Sequence, residues 1–206
     1  MPSTTPTDHQ PGTDPQHPPT TVQGALEAID TELHRTVATL LSADAAPFAE
    51  TLTRLQDADR IFVLGAGRSG LALRMTAMRL MHLGRTVHVV GETTTPAIAA
   101  DDVLLVASGS GTTAGIVRAA TTAVSVGAGV IALTTDADSE LAELASVVVV
   151  VPAAQKTDHG GTRSVQYSGG LFEQTVMLLG DAIFHALWQS AGVSAEELWP
   201  RHANLE

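Results

Sequence analysis

A chain of 206 residues with 44% hydrophobic side chains can bury one sizeable core, and a net charge of -11 weighs against a nucleic-acid backbone or an anionic membrane as partner. The absence of cysteine excludes disulfides, thiolate nucleophiles and cysteine metal sites, and it fits a cytoplasmic protein. Aromatic residues make up only 3%, so a core of Ala, Val and Leu suits a parallel sheet under small-residue helices rather than a sandwich.

Met1 to about Thr21 is rich in Pro, Thr, Asp and His, has few apolar side chains and is predicted to be a disordered tail; His9 and His17 read as solvated. It lacks the basic and apolar regions of a signal peptide. From Val22 to Leu41 the positions Leu26, Ile29, Leu33, Val37, Leu40 and Leu41 recur at helical spacing, and a second amphipathic helix is predicted over Pro47 to Leu55 with Asp44 as its cap. These two helices are expected to pack on the sheet or on another subunit.

An α/β alternation follows. Strands are predicted at Ile61–Leu64, Thr86–Val90, Val103–Ala107, Gly129–Leu133 and Val147–Val151. Helices are predicted from Ser69 to Leu83 (ending at Gly84), from Thr113 to Val126 (ending at Gly127) and from Asp138 or Ser139. The apolar runs between Gly129 and Pro152 are interrupted by Asp136, Asp138, Glu140 and Glu143, so no membrane span is expected. After Pro152 a polar loop carries Lys156, Asp158, His159 and Arg163. A long helix over Ser168 to Ala191 is expected to bury Leu171, Met177, Leu178, Ile183 and Leu187. The last helix opens on a Ser194/Glu197 capping box and is closed by Pro200. The pattern is that of a three-layer, doubly wound sheet of five parallel strands, Rossmann-like or flavodoxin-like, within one domain over residues 22–206.

Two of the strand-to-helix corners are glycine-serine turns, Gly65-Ala66-Gly67-Arg68-Ser69-Gly70 and Ser108-Gly109-Ser110-Gly111-Thr112-Thr113. A helix N-terminus offers unpaired N–H groups and the positive end of a dipole, and hydroxyls add donors, so two such corners on one sheet predict a phosphorylated small molecule as ligand. Gly67, Arg68, Ser69, Ser108, Ser110 and Thr113 are the candidate phosphate contacts. The first turn also matches the dinucleotide fingerprint, with Glu92 near the place of a ribose-binding acid, which keeps an NAD(P) oxidoreductase as an alternative.

The form Ser108-x-Ser110-Gly111-x-Thr113 resembles the phosphate loop of the sugar isomerase (SIS) domain family. Arg79-Leu80-Met81-His82-Leu83-Gly84, Val90-Gly91-Glu92-Thr93-Thr94-Thr95-Pro96, Leu171-Phe172-Glu173-Gln174 and His202-Ala203-Asn204-Leu205-Glu206 narrow the resemblance to the 6-phospho-3-hexuloisomerases. That resemblance implies interconversion of D-arabino-3-hexulose 6-phosphate and fructose 6-phosphate through a cis-enediol, in formaldehyde fixation by the ribulose monophosphate route. It implies Glu173 as the base, His202 as the proton-transfer group, and Glu92 and Thr93 as sugar contacts. It also implies a homotetramer with shared active sites, and hexulose-6-phosphate synthase as pathway partner. His82 reads as a packed structural histidine that could alternatively reach a neighbouring site. The methionines Met75, Met78 and Met81 read as core or subunit packing rather than a cofactor surface. Enediol chemistry needs no cofactor, and no histidines stand at close metal-ligand spacing, so neither cofactor nor metal is expected. A non-catalytic SIS module that senses a sugar phosphate is the other rival reading.

Overall fold

The computed structural model describes residues 20–155 and 164–205. The loop residues Lys156, Asp158, His159 and Arg163, and most of the Met1–Thr21 tail, lie outside the described residues. Thr21 lies inside them, and its side chain accepts the Gly24 N–H at 3.1 Å to cap the first helix. In chain order the elements are α1 (Val22–Ser42), α2 (Ala46–Asp57), β1 (Ile61–Gly65), α3 (Gly67–His82), β2 (Val87–Val89), β3 (Val103–Ala107), α4 (Ala114–Ser125), β4 (Gly129–Thr134), α5 (Glu140–Leu144), β5 (Val147–Val150), α6 (Gly170–Ala191) and α7 (Ala195–Leu198). A 3₁₀ turn over Trp199–Arg201 follows, so Pro200 sits inside a tightened extra turn instead of stopping the chain after α7.

All five strands pair in parallel in the order β2-β1-β3-β4-β5. Successive side chains of a strand point to opposite faces, and here each face meets its own core. Ile61, Val63, Leu105 and Ile131 pack with Leu55 of α2, Leu73 and Leu80 of α3, and Val176 and Leu187 of α6. Phe62, Leu104, Val106 and Val130 pack on the other side with Ile116, Ala120 and Ala123 of α4 and Leu141 of α5. This is the three-layer, doubly wound α/β arrangement expected from the alternation. Burial on both faces accounts for continuous apolar strands such as Val103-Leu104-Leu105-Val106-Ala107.

Local departures have local causes. β2, an edge strand, keeps only three residues: its last ladder bond runs from the Val90 N–H to Val63 O, and the Glu92 N–H then turns back to Val89 O at 3.1 Å. The N-cap of α2 is Ala45, while Asp44 accepts the Ala46 N–H from one residue earlier. α6 begins at Gly170 rather than Ser168, because Ser168 and Gly169 take the left-handed values φ 37 and φ 81. Leu178, expected inside, is 38% exposed; Phe172, Val176 and Thr175 are buried on that helix instead.

The apolar positions of α1 divide. Leu40 is buried and Leu33 leans on the core, but Leu26 and Leu41 stand out from the surface. On α3, Leu71, Met75, Met78 and Met81 are likewise exposed, which removes core packing as their role within one chain. Among the described residues no single helix is long and apolar enough to cross a membrane.

At the opposite end of the sheet from the glycine-serine turns, Asp102 is buried and takes a two-pronged grip from Arg60, at 2.9 Å to Oδ1 and 2.6 Å to Oδ2, with the Ala99 N–H at 2.6 Å. Burial works against its charge, but these hydrogen bonds outweigh it and hold the carboxyl below its ordinary range. A carboxyl depressed by folding contributes stability that is complete above the unfolded value of about 4 and fades as pH falls through the folded value. Asp102→Asn is therefore expected to melt earlier at pH 7 and to lose less additional stability as pH falls below about 4. Parallel acid-unfolding curves of the two proteins would show this, and identical slopes would refute it.

Candidate active site

The strand order reverses between β1 and β3, and at that crevice the C-terminal ends of parallel strands bind ligands in folds of this kind. The register pairs Gly65 with Ala107, so the chain leaves both strands at one level and the two turns lie side by side. Gly65 and Gly70 are required by packing: a Cβ on Gly70 would stand 2.4 Å from the Gly65 carbonyl oxygen. The turn thus folds back on the first turn of its own helix. The second turn is held from β4 and α5. Gly109 O accepts the Thr135 hydroxyl at 2.7 Å and its N–H at 3.0 Å, and Gly111 O accepts the Leu141 N–H at 3.0 Å.

Between the turns is a cavity of about 210 Å³, lined by Ser69, Ser108, Ser110 and Thr113 among others. The N-caps of the two helices that open there, Ala66 for α3 and Thr113 for α4, make no side-chain cap hydrogen bond. Thr113 instead shares a hydrogen bond of 3.1 Å with the Ser108 hydroxyl. First-turn N–H groups at both helices are thus left without a capping side chain, next to the cavity hydroxyls. Gly67, at φ 57, begins α3 immediately beyond Ala66.

α3 and α6 run side by side in the same direction. A Cβ on Gly180 would stand 2.0 Å from the Thr76 hydroxyl, so Gly180 allows this close crossing. The arrangement brings their N-terminal ends together, where Arg68 Nε meets Glu173 Oε2 at 2.6 Å. Glu173 is 5% exposed and Arg68 67%, so a buried carboxylate is paired with a guanidinium open to solvent. Phe172, next to Glu173, lines the cavity, and so does Gly169, whose carbonyl accepts the Glu173 N–H at 3.1 Å.

Six candidates therefore assemble on or beside the cavity wall: Ser69, Ser108, Ser110 and Thr113 line it, and Arg68 joins α3 to Glu173. Glu92 and Thr93 are exposed beyond β2 and do not line it; Glu92 pairs with Arg74. His202 lies elsewhere in the same chain. Its ring stacks on His82 at 4.1 Å and leans on Trp199 at 4.7 Å. His82 ends α3, fifteen residues from Gly67, or about 22 Å along the axis at 1.5 Å per residue. Burial, the His202 ring and Arg79 keep the His82 imidazole below its ordinary range, which favours the neutral form. Sequence reasoning does not reach Ile116 or Ala154, which also line the cavity. An alanine after β5 carries no chemical signature by which to find it.

A doubly wound domain whose reversal point gathers hydroxyls, two helix N-termini and a buried carboxylate is built to receive a small anionic ligand. The SIS domain model matches residues 54–178, and the chain belongs to the SIS domain family. It is 58% identical over 168 residues to a 3-hexulose-6-phosphate isomerase of Mycobacterium gastri, covering 82% of this chain and 84% of that protein. It is 37% identical over 176 residues to the Bacillus subtilis 3-hexulose-6-phosphate isomerase, covering 85% and 94%. Among solved structures, a Methanococcus jannaschii protein for which a 3-hexulose-6-phosphate isomerase function was inferred superposes with a TM-score of 0.76 at 28% identity, covering 88% of this chain and 99% of the other.

Proposed function

We propose that this protein interconverts D-arabino-3-hexulose 6-phosphate and fructose 6-phosphate. The observation that carries the reading is the hydroxyl-lined cavity at the β1/β3 reversal with the Glu173 carboxylate beside it. The names of the Mycobacterium and Bacillus relatives support the same substrate. Ser69, Ser108, Ser110, Thr113 and the α3 and α4 N-termini take the phosphate. Glu173 removes the C2 proton of the 3-ketose, the 2,3-enediol forms, and the proton returns to C3 while the hydroxyl proton moves from O2 to O3. The phosphate competes with Glu173 for the Arg68 guanidinium, so substrate binding frees the carboxylate to face the reacting carbon.

His202 serves proton transfer at the sugar oxygens and the ring opening of fructose 6-phosphate, from the chain of a second copy. Its distance from the cavity of its own chain supports that arrangement. The exposed Leu71, Met75 and Met78 on α3, with Leu26 and Leu41 on α1, offer apolar faces for subunit packing in a homotetramer. Residues 22–206 form one SIS domain in this reading. The enzyme works in the cytoplasm, on the product of a hexulose-6-phosphate synthase in formaldehyde fixation. Proton NMR of fructose 6-phosphate with the protein in D₂O tests the reaction. Deuterium at C3 and the 3-keto isomer are expected, whereas binding without exchange would leave a sugar-phosphate sensor.

A further inference from the structure

Three hydrogen bonds tie α1 to the segment that leads into α6. The Glu32 carboxylate accepts the Ser164 hydroxyl at 2.8 Å and the Gln166 side-chain N–H at 2.9 Å on Oε2, and the Val165 backbone N–H at 2.6 Å on Oε1. Gln166 extends the chain of contacts. Its backbone N–H is donated to Ser164 Oγ at 3.1 Å, and its side-chain oxygen accepts from Gln174 Nε2 at 2.8 Å. The same side chain covers Gly170, where a Cβ would stand 3.3 Å from Gln166 Oε1. Gln174 directly follows Glu173, and Gly170 is the first residue of α6.

Between these anchored points are Ser168 and Gly169, both left-handed. Ser168 is the non-glycine residue with positive φ among the described residues, a conformation that persists only where its surroundings impose it. The three groups converging on Glu32 are all donors. A carboxylate accepts from each of them, whereas an amide would turn its own N–H against one.

We propose that Glu32 is a positioning residue for Glu173. Acting through Gln166 and the Ser168–Gly169 turn, it sets the placement of the first turn of α6 at the cavity. The inference rests on the reading of Glu173 as the base. A general base works only within hydrogen-bond reach of the proton it takes, and a displacement of about 1 Å costs on the order of 10²-fold in rate. The phosphate contacts are on α3, the turn after β3 and the N-cap of α4, and among the described residues Glu32 makes its hydrogen bonds to Ser164, Val165 and Gln166 instead.

The test compares Glu32→Ala, Glu32→Gln and Gln166→Ala with the wild type in turnover of fructose 6-phosphate, thermal melting and amide hydrogen exchange. Glu32→Ala is expected to lower kcat by on the order of 10²-fold with KM nearly unchanged. Glu32→Gln, which keeps an acceptor for Ser164 and Gln166, should recover part of that loss. Exchange across residues 170–174 should quicken in Glu32→Ala while the sheet stays protected. A folded Glu32→Ala with kcat within about twofold of wild type overturns the proposal, as does a fall in kcat that merely follows lower thermal stability across the three variants. If Glu32→Ala does not fold, the other two decide on the same criteria. Should Glu173→Gln keep the wild-type rate, the base assignment fails. The link from Glu32 to α6 is then judged by exchange alone, and unchanged exchange refutes it.

Discussion

Glu173→Gln is expected to lower kcat by about 10²–10⁴-fold, the range a positioned general base contributes, while fructose 6-phosphate still binds. The amide has nearly the same shape, so the buried space beside Phe172 stays filled and α6 keeps its first turn. What disappears is the capacity to take a carbon-bound proton. The Arg68 pair loses its charge as well, which frees the guanidinium for the phosphate; affinity should therefore hold or improve. Steady-state rates, with calorimetric titration of fructose 6-phosphate, measure both arms. A variant that turns over at the wild-type rate would place the base elsewhere. One that neither turns over nor binds would make Glu173 a binding group.

The complementary expectation concerns the hydroxyl pair across the second turn. Ser108 and Thr113 bond to each other at 3.1 Å, and both line the cavity. Ser108→Ala with Thr113→Val removes both partners at nearly constant volume, so no buried hydroxyl is left without its mate and folding should be spared. Hydrogen bonds to a charged group contribute about 1.5–3 kcal/mol each, so losing two should raise KM by about 10²-fold or more. Because a phosphate grip acts on ground state and transition state alike, kcat should move little. Inhibition by inorganic phosphate should weaken in parallel. Unchanged KM and unchanged phosphate inhibition would remove the cavity from the phosphate's path. The two variants thus separate the chemistry on α6 from the grip on the strand-to-helix turns.

Strands such as Ile61-Phe62-Val63-Leu64 are legible in the sequence because burial on both faces demands unbroken apolar runs. The turns at Gly65 and Ser108 are legible because many of the contacts that shape them lie within a few residues. β2 is shorter than its apolar pattern suggests, since propensity does not tell an edge strand from a central one. Leu178 fits the apolar stripe of α6 yet is partly exposed, because periodicity marks a stripe without saying whether another element covers it. The exposed Met75 and Leu41 show the same gap from the other side. The terminal motif implies a proton-transfer role for His202, yet its own chain stacks it on His82, at the far end of α3 from Arg68.

Hydrophobic periodicity, glycine spacing and hydroxyl placement are local properties, so the order of amino acids suffices for the α/β alternation, the two phosphate-type turns and the family. Three features exist only once the elements have packed. They are the reversal point between β1 and β3, the pairing of Arg68 with Glu173, and the hold of Glu32 on a segment 132 to 134 residues away. Each depends on which elements become neighbours. That is set by the summed burial of every face of the sheet, and no short stretch of the chain encodes it.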